Sequence, residues 1–262
     1  MEREAGPVLA AEAVTPMVVD VSRLAELRGI ELEPAGAGAG AADVVRIGAA
    51  TTYLEMRRSA VVQQRLPLLA RMSRDVGAVQ IQARGTLGGN LATASPAADG
   101  VTALAALDAE LVVRSIRGER TIAFADLQTG YKQTTRAPDE VIVALRIHVP
   151  RPDAVWVWRK VGTRRAQAIS KVALAGVAEL DGGCVRRFGL GMASVAPVTA
   201  RMPATRLLVA TTPLAELDAR AVDEAVDADV SPIDDVRSTR AYRLHCARAV
   251  TRAWLRELGA DV

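Results

Sequence analysis

A short run with two adjacent glycines constrains this chain more than any other stretch. It consists of Thr86, Leu87, Gly88, Gly89 and Asn90. Because glycine has no Cβ, a ligand can approach its backbone closely and a positive φ costs little. Ser95 adds a hydroxyl soon afterwards, and Asp99 adds a carboxylate suited to ribose hydroxyls. The set predicts a site for a phosphorylated, ribose-bearing ligand that lies along main-chain N–H groups.

An ordinary tight turn explains the same run equally well, because Gly and Asn are common turn residues. An alternating apolar segment from Val76 precedes the run, and a helix-like, Ala-rich segment at 100–109 follows it. The start of a helix just beyond the turn is a favourable place for a phosphate. Spacing alone leaves both interpretations open.

Composition limits the class of protein. The chain has 262 residues, enough for two modest domains or one large one. Half of them are hydrophobic but only 3% are aromatic, so the core must be built from Ala, Val and Leu. A net charge of +3 without a long Lys/Arg run argues against nucleic-acid binding.

Cysteine usage and hydropathy predict no metal site and no membrane span. Cys184 and Cys246 cannot supply the four ligands of an iron–sulfur cluster or a structural zinc, and His245 is the nearest histidine. No apolar run reaches the length of a transmembrane helix. The first residues carry two glutamates and lack the pattern of a signal peptide. We therefore expect a soluble, cytoplasmic protein.

The pattern up to residue 150 predicts a mixture of strands and helices. Strands are expected at 17–21, 30–33, 44–49 and 141–149, with a hairpin of 110–115 and 120–124. Helices are expected at 23–28 and at 61–75, where Pro67 lies early in the helix or interrupts it. A further helix, capped by Thr51 or Thr52, is expected to run through Arg58. Residues 35–42 are expected to form a flexible hairpin loop. Pro150-Arg151-Pro152 is the best linker, which predicts domains at 1–150 and 151–262.

Beyond this linker the pattern predicts a separate α+β unit. Three strands are expected at 155–160, 171–180 and 185–193, with a turn at Asp181-Gly182-Gly183. Trp156 and Trp158 should lie on one face of the first of them, since side chains alternate along a strand. Helices are expected at 213–228 and 240–258.

Seven segments in order resemble the FAD-binding (medium) subunit of molybdenum hydroxylases, the xanthine dehydrogenase and carbon monoxide dehydrogenase flavoprotein family. They are residues 18–30, 45–56, 86–99, 129–142, 159–175, 192–201 and 231–250. The resemblance implies an α+β fold: a flavin-binding α/β domain of the molybdopterin dehydrogenase (PCMH-like) type, then a C-terminal domain with a three-stranded antiparallel sheet and a helical bundle.

The resemblance also implies a function. FAD in this subunit would take electrons from 2Fe-2S clusters on a small partner subunit and pass them to NAD or another acceptor. Substrate oxidation would occur at a molybdenum cofactor on a large subunit, with a xanthine or other N-heterocycle as the substrate class. The chain itself would bind, orient and tune the flavin.

Matching positions carry the implied cofactor contacts. They are Thr86, Leu87, Gly88, Gly89, Asn90, Ser95 and Asp99, with Val76 packing near the flavin and Ile169 as an apolar contact from the C-terminal domain. A basic segment with Lys160, Arg164 and Arg165 matches near the domain junction, although a solvated surface is the favoured interpretation there.

Two departures from the family pattern open an alternative. Ile81-Gln82-Ala83 stands where members usually have Ile-Arg-Asn. A first lobe with an AGGTDL-like loop, which grips the FAD pyrophosphate, has no match, and the Ala/Gly run at 35–42 lies at the wrong place to replace it. The alternative is a flavin-poor subunit that serves assembly of the complex. A stand-alone reductase of the same fold is disfavoured by the segment 231–243.

Overall fold

The computed structural model describes residues 19–36 and 42–262. The predicted strand at 17–21 lies partly outside this range, and its described part, Val19–Val21, forms no strand. Most of the predicted loop at 35–42 also lies outside it. A short 3-10 turn, Ala25–Leu27, replaces the predicted helix at 23–28.

Strands that precede Pro150 form one five-stranded antiparallel sheet with the order β1-β2-β7-β3-β4. Its members are β1 (Ile30–Glu33), β2 (Val44–Gly48), β3 (Glu110–Ser115), β4 (Gly118–Ala123) and β7 (Val141–His148). A small hairpin of β5 (Gln128–Gly130) and β6 (Gln133–Thr134) stands beside it. The predicted strands from 30–33 onward are confirmed in this part of the chain.

The described part of this half of the chain also contains six short helices. They are α1 (Tyr53–Arg58), α2 (Ala60–Arg65), α3 (Pro67–Ser73), α4 (Val79–Gln82), α5 (Leu87–Thr93) and α6 (Asp99–Ala106). Thr52 starts α1 through a capping box with Glu55, as the threonine pair predicts. Pro67 begins α3 directly after α2, so the predicted helix at 61–75 is two helices.

The chain after the linker forms a three-stranded antiparallel sheet and three helices. Two of the helices pack on the sheet, and the third packs on these two. The strands are β8 (Val155–Val161), β9 (Val172–Asp181) and β10 (Cys184–Ala193), and the helices are α7 (Pro203–Thr211), α8 (Ala219–Asp229) and α9 (Arg240–Glu257). The predicted helix at 213–228 starts too early, because Asp218 caps α8 through the N–H groups of Arg220 and Ala221. Helix α7 was not predicted.

Helix α6 joins the two halves. Residues 100–106 are all buried, and the helix packs against β9 and β10. A Cβ on Gly189 would lie 1.8 Å from the carbonyl oxygen of Ala106, and one on Gly191 would lie 2.3 Å from that of Thr102. Glycines in β10 therefore allow the helix backbone to approach the sheet directly. In the described part of the chain, no helix is long and apolar enough to cross a membrane.

Candidate functional site

The two adjacent glycines lie in a helix, not in a turn before one. Thr86 is the N-cap of α5, and its hydroxyl accepts a hydrogen bond from the N–H of Gly89 at 3.1 Å. Neither Gly88 nor Gly89 has a positive φ. The left-handed residue is Ala94, which ends α5 at φ 47°. The tight-turn interpretation is therefore wrong, and the freedom of glycine to adopt a positive φ is not used at these two positions.

The first N–H groups of α5 already have acceptors within the chain. The N–H of Leu87 donates to the carbonyl oxygen of Thr51 at 3.4 Å, and that of Gly88 donates to Ala49 at 3.1 Å. These bonds fasten the start of α5 to the segment that follows β2. The expected row of free N–H donors is absent at 87–89, so a ligand must be held there by shape and side chains.

The two glycines have different surroundings. A Cβ on Gly88 would lie 2.6 Å from both the Cβ and the carbonyl oxygen of Ala49, whereas one on Gly89 would meet only the Thr86 hydroxyl, at 2.9 Å. Gly88 therefore permits close packing inside the fold. Gly89 is exposed, and apart from the Thr86 hydroxyl no atom would meet its Cβ within 4 Å.

Cavities lie on both sides of α5. One, of about 1000 Å³, is lined by Thr86, Gly88 and Gly89 together with Arg28 and Arg84; we call it the glycine cavity. The other, of about 710 Å³, lies between the two halves of the chain, and we call it the junction cavity.

The predicted site residues divide between these cavities. Thr86, Gly88 and Gly89 line the glycine cavity. Val76, Asn90, Ser95, Asp99 and Ile169 line the junction cavity. Leu87 lines neither, because its side chain is fully buried in the core. Tyr53, Lys160 and Ser170 also line the junction cavity but were not among the predicted contacts.

Asp99, which begins α6, is held by the other half of the chain. Its carboxylate forms an ion pair with Lys160 of β8 and accepts a hydrogen bond from the Ser170 hydroxyl at 2.7 Å. Burial raises the pKa of Asp99, while Lys160 and Ser170 oppose this rise. The bonds of this carboxylate thus span the junction between the two halves. The sequence suggests instead a free carboxylate that could bind ribose hydroxyls.

Lys160 is not part of a solvated surface, so the favoured interpretation of its segment is wrong for this residue. Only 11% of its side chain is exposed, and its ammonium group also donates to the carbonyl oxygen of Asp75 at 2.8 Å. Trp158, two residues earlier on the same face of β8, donates to the Asp75 carboxylate at 2.9 Å. Because side chains alternate along a strand, the position of Lys160 two residues after Trp158 could have indicated that it faces the junction. Arg164 and Arg165 are exposed.

Two buried polar atoms beside the junction cavity have no partner. Within residues 19–36 and 42–262, nothing bonds the Tyr53 hydroxyl or the Asn90 Oδ1 atom. A Cβ on Gly100 would lie 2.7 Å from each of them, so glycine lets both atoms pack directly against α6. An unsatisfied donor and acceptor beside apolar walls fit a flavin nucleotide, which presents both apolar rings and hydrogen-bonding groups.

Gln82 has a structural role where family members usually carry arginine. Its side chain is buried, accepts from the Arg57 guanidinium and donates to the carbonyl oxygen of Arg74 at 3.1 Å. The amide that stands in place of the arginine therefore has hydrogen-bond partners inside this chain. No cluster of His, Cys, Asp or Glu that could hold a metal occurs among the described residues.

Comparison with known protein families matches both halves of the chain. Residues 6–152 match the model described as "FAD binding domain in molybdopterin dehydrogenase". Residues 158–258 match the model "CO dehydrogenase flavoprotein C-terminal domain". The α+β architecture with a three-stranded antiparallel sheet after the linker agrees with the fold implied by the resemblance.

Individual relatives agree with the family models. The chain is 30% identical over 241 residues to a putative xanthine dehydrogenase FAD-binding subunit of Escherichia coli, covering 92% of this chain and 80% of the relative. It is 28% identical over 244 residues to the carbon monoxide dehydrogenase medium chain of Hydrogenophaga pseudoflava, covering 91% and 82%. A solved structure of carbon monoxide dehydrogenase from that organism superposes with a TM-score of 0.81 at 28% identity, covering 90% and 81%.

Proposed function

This chain belongs to the family of FAD-binding medium subunits of molybdenum hydroxylases, and from that premise we propose that it is the electron-transferring flavoprotein subunit of such a complex. FAD would take electrons from iron–sulfur clusters of a partner subunit and deliver them to NAD or another acceptor. When bound, FAD supplies the redox chemistry, and the chain supplies binding, orientation and electrostatics.

The junction cavity is the observation that carries the proposal. Val76 and Ile169 give it apolar walls from the two halves of the chain, and Ile81 adds a third. Asp99 and Lys160 place a buried ion pair at its edge. Apolar walls with a few fixed polar groups are typical of cofactor sites. We assign the three-ring system of the flavin to this cavity.

The glycine cavity would then hold the polar part of the cofactor. Gly89 leaves room beside the Thr86 hydroxyl, and the exposed guanidinium of Arg84 lies at the same cavity. Arginine suits a diphosphate because it offers several N–H donors in a planar group. The full set of proposed contacts is Thr86, Leu87, Gly88, Gly89, Asn90, Ser95, Asp99, Val76 and Ile169, with Leu87 acting by packing alone.

We assign domains at 1–150 and 151–262, with the flavin between them. The partners would be a large molybdopterin-binding subunit and a small subunit with 2Fe-2S clusters. Likeness to a xanthine dehydrogenase subunit and to the FAD subunit of a nicotinate dehydrogenase from Eubacterium barkeri supports an N-heterocycle as the substrate of the complex.

Electron transfer within the assembled complex tests the proposal. The complex would be reduced anaerobically with dithionite and then mixed with NAD⁺ or, separately, with a quinone. Flavin and cluster absorption should both return to the oxidised state with one of these acceptors. A complex that carries the Gly89→Val chain should keep its clusters reduced.

Two results would contradict the proposal. One is a wild-type complex that neither acceptor oxidises. The other is equally fast oxidation of the clusters with and without bound flavin, which would favour a subunit whose role is assembly.

A further inference from the structure

Tyr53 is fixed rigidly at the junction cavity. It is the first residue of α1, directly after the Thr52 cap, and its N–H donates to the carbonyl oxygen of Gly85 at 3.1 Å. Its side chain is only 2% exposed. Since both the backbone and the ring are held, the position of the hydroxyl is set by the fold and not by rotation of a surface side chain.

The Tyr53 hydroxyl is a buried donor without an acceptor among the described residues. Such a group normally costs stability, because it loses hydrogen bonds to water and gains none in the fold. Several buried side-chain polar atoms in the described chain have no hydrogen-bond partner. Among them, only those of Tyr53 and Asn90 belong to residues that line the junction cavity. Both lie beside Gly100.

We propose that Tyr53 is a further cofactor-binding residue whose hydroxyl donates a hydrogen bond to an oxygen of bound FAD, where Tyr53 and Asn90 line the junction cavity. This inference rests on the placement of the flavin in the junction cavity. The carbonyl oxygens of the flavin ring and the hydroxyls of its ribityl chain are acceptors of the required kind.

The electrostatic surroundings keep the hydroxyl in its donor form. Burial and the nearby negative charge of Asp99 both raise the pKa of Tyr53 above its usual range. The group therefore stays protonated at neutral pH and acts as a donor, not as an anion.

The proposal predicts opposite effects in the FAD-free and FAD-bound chain. Tyr53→Phe removes an unpaired hydroxyl from the FAD-free form, so its thermal stability should stay the same or increase. The same change removes a bond to the cofactor, so the affinity for FAD should fall. A tyrosine with a purely structural role would lower stability without this separation.

The experiment measures FAD dissociation constants for the purified full-length wild-type chain and two variants, each first freed of flavin. Tyr53→Phe should raise the dissociation constant about tenfold, equivalent to about 1.4 kcal/mol. Thr199→Val is the matched control, because it also removes a buried hydroxyl without a partner in the described chain, away from the junction cavity. Its dissociation constant should equal that of wild type.

Each of the following results would overturn the inference. A Tyr53→Phe chain that binds FAD as tightly as wild type overturns this inference while leaving the proposed function intact. A lower melting temperature of FAD-free Tyr53→Phe with unchanged FAD affinity assigns the hydroxyl a structural role and also overturns it. A wild-type chain that takes up no FAD overturns both this inference and the proposed function.

Discussion

Lys160 and Asp99 form an ion pair across the two halves of the chain, and each side chain is only 11% exposed. The pair stands at the start of α6, the helix that packs on the second sheet. One contact therefore links the geometry of the junction cavity to the docking of the two halves.

Removing one member of this pair should be costly. Lys160→Met leaves the Asp99 carboxylate buried and unpaired, which we expect to lower the free energy of unfolding by about 3–5 kcal/mol at neutral pH. Asp99→Asn should cost less, because its amide oxygen can still accept from Ser170 and the Lys160 ammonium still donates to the carbonyl oxygen of Asp75. Chemical denaturation of both variants measures the difference.

The pH dependence of the Lys160→Met variant provides a second check. Burial already raises the pKa of Asp99, and loss of the opposing lysine raises it further. The folded form then keeps a proton that the unfolded form releases, so the stability of the variant should increase as the pH falls toward about 3.9, the ordinary value for Asp.

Arg159→Met breaks the neighbouring exposed pair with Glu257 and should cost less than about 1 kcal/mol. Equal losses in the two variants would contradict a buried role for Lys160.

Substitutions of the two adjacent glycines should separate folding from cofactor binding. Gly88→Ala places a methyl group 2.6 Å from the carbonyl oxygen of Ala49, and overpacking of this kind costs about 1–3 kcal/mol. Gly89→Val points into the glycine cavity, so it should abolish retained FAD while the melting temperature of the FAD-free chain stays close to that of wild type. Flavin content after purification and thermal melts measure both effects. Unchanged flavin content in Gly89→Val would refute the placement of the cofactor.

Arg206 should stabilise the junction without affecting the cofactor. Its guanidinium donates to the carbonyl oxygens of Ala105 and Leu190 at 2.8 and 2.7 Å and pairs with Asp108 at 2.9 Å. These contacts lie at the end of α6 opposite Asp99. Arg206→Met should lower the free energy of unfolding by about 1–3 kcal/mol, because two carbonyl oxygens lose a donor while Asp108 keeps its pair with Arg201. The FAD dissociation constant of the folded chain should be unchanged. A large loss of FAD affinity would show that the two ends of α6 are coupled.

The lowered pKa of Glu140 predicts that the stability of the fold is sensitive to acid. Hydrogen bonds from the Arg120 guanidinium and from the N–H of Ala137 lower the pKa of Glu140 from 4.5 to about 2. The unfolded chain therefore takes up a proton before the folded chain does. The stabilisation from this carboxylate should be complete above pH 4.5 and should disappear as the pH falls toward 2. The stability difference between wild type and Glu140→Gln should follow that curve, and a constant difference across the range would contradict it.

Much of the fold could be predicted from local patterns. Alternation and turn residues located β3, β4 and the strands after Pro150, and Pro67 marked a break between helices. The start of α5 could not be predicted, because glycines and Asn disfavour a helix locally. There, tertiary bonds from Leu87 and Gly88 to the segment after β2 override that preference.

The functional site was only partly predictable, because tertiary contacts also bring its residues together. Spacing and the family resemblance indicated Asn90, Asp99 and Ile169, which the fold brings to one cavity. The partner of Asp99 is Lys160, sixty-one positions further along the chain, and no local pattern connects them. No sequence pattern marks Tyr53 as a site residue, and only the absence of an acceptor in the described structure distinguishes it.

The visible absorption spectrum of the wild-type chain, purified within its complex with the iron–sulfur and molybdenum subunits, tests the central claim most directly. Oxidised flavin bands corresponding to stoichiometric FAD are predicted, and they should be lost in the complex with Gly89→Val. An intact complex that shows iron–sulfur absorption but releases no flavin on denaturation would contradict the assignment of this chain as the electron-transferring flavoprotein.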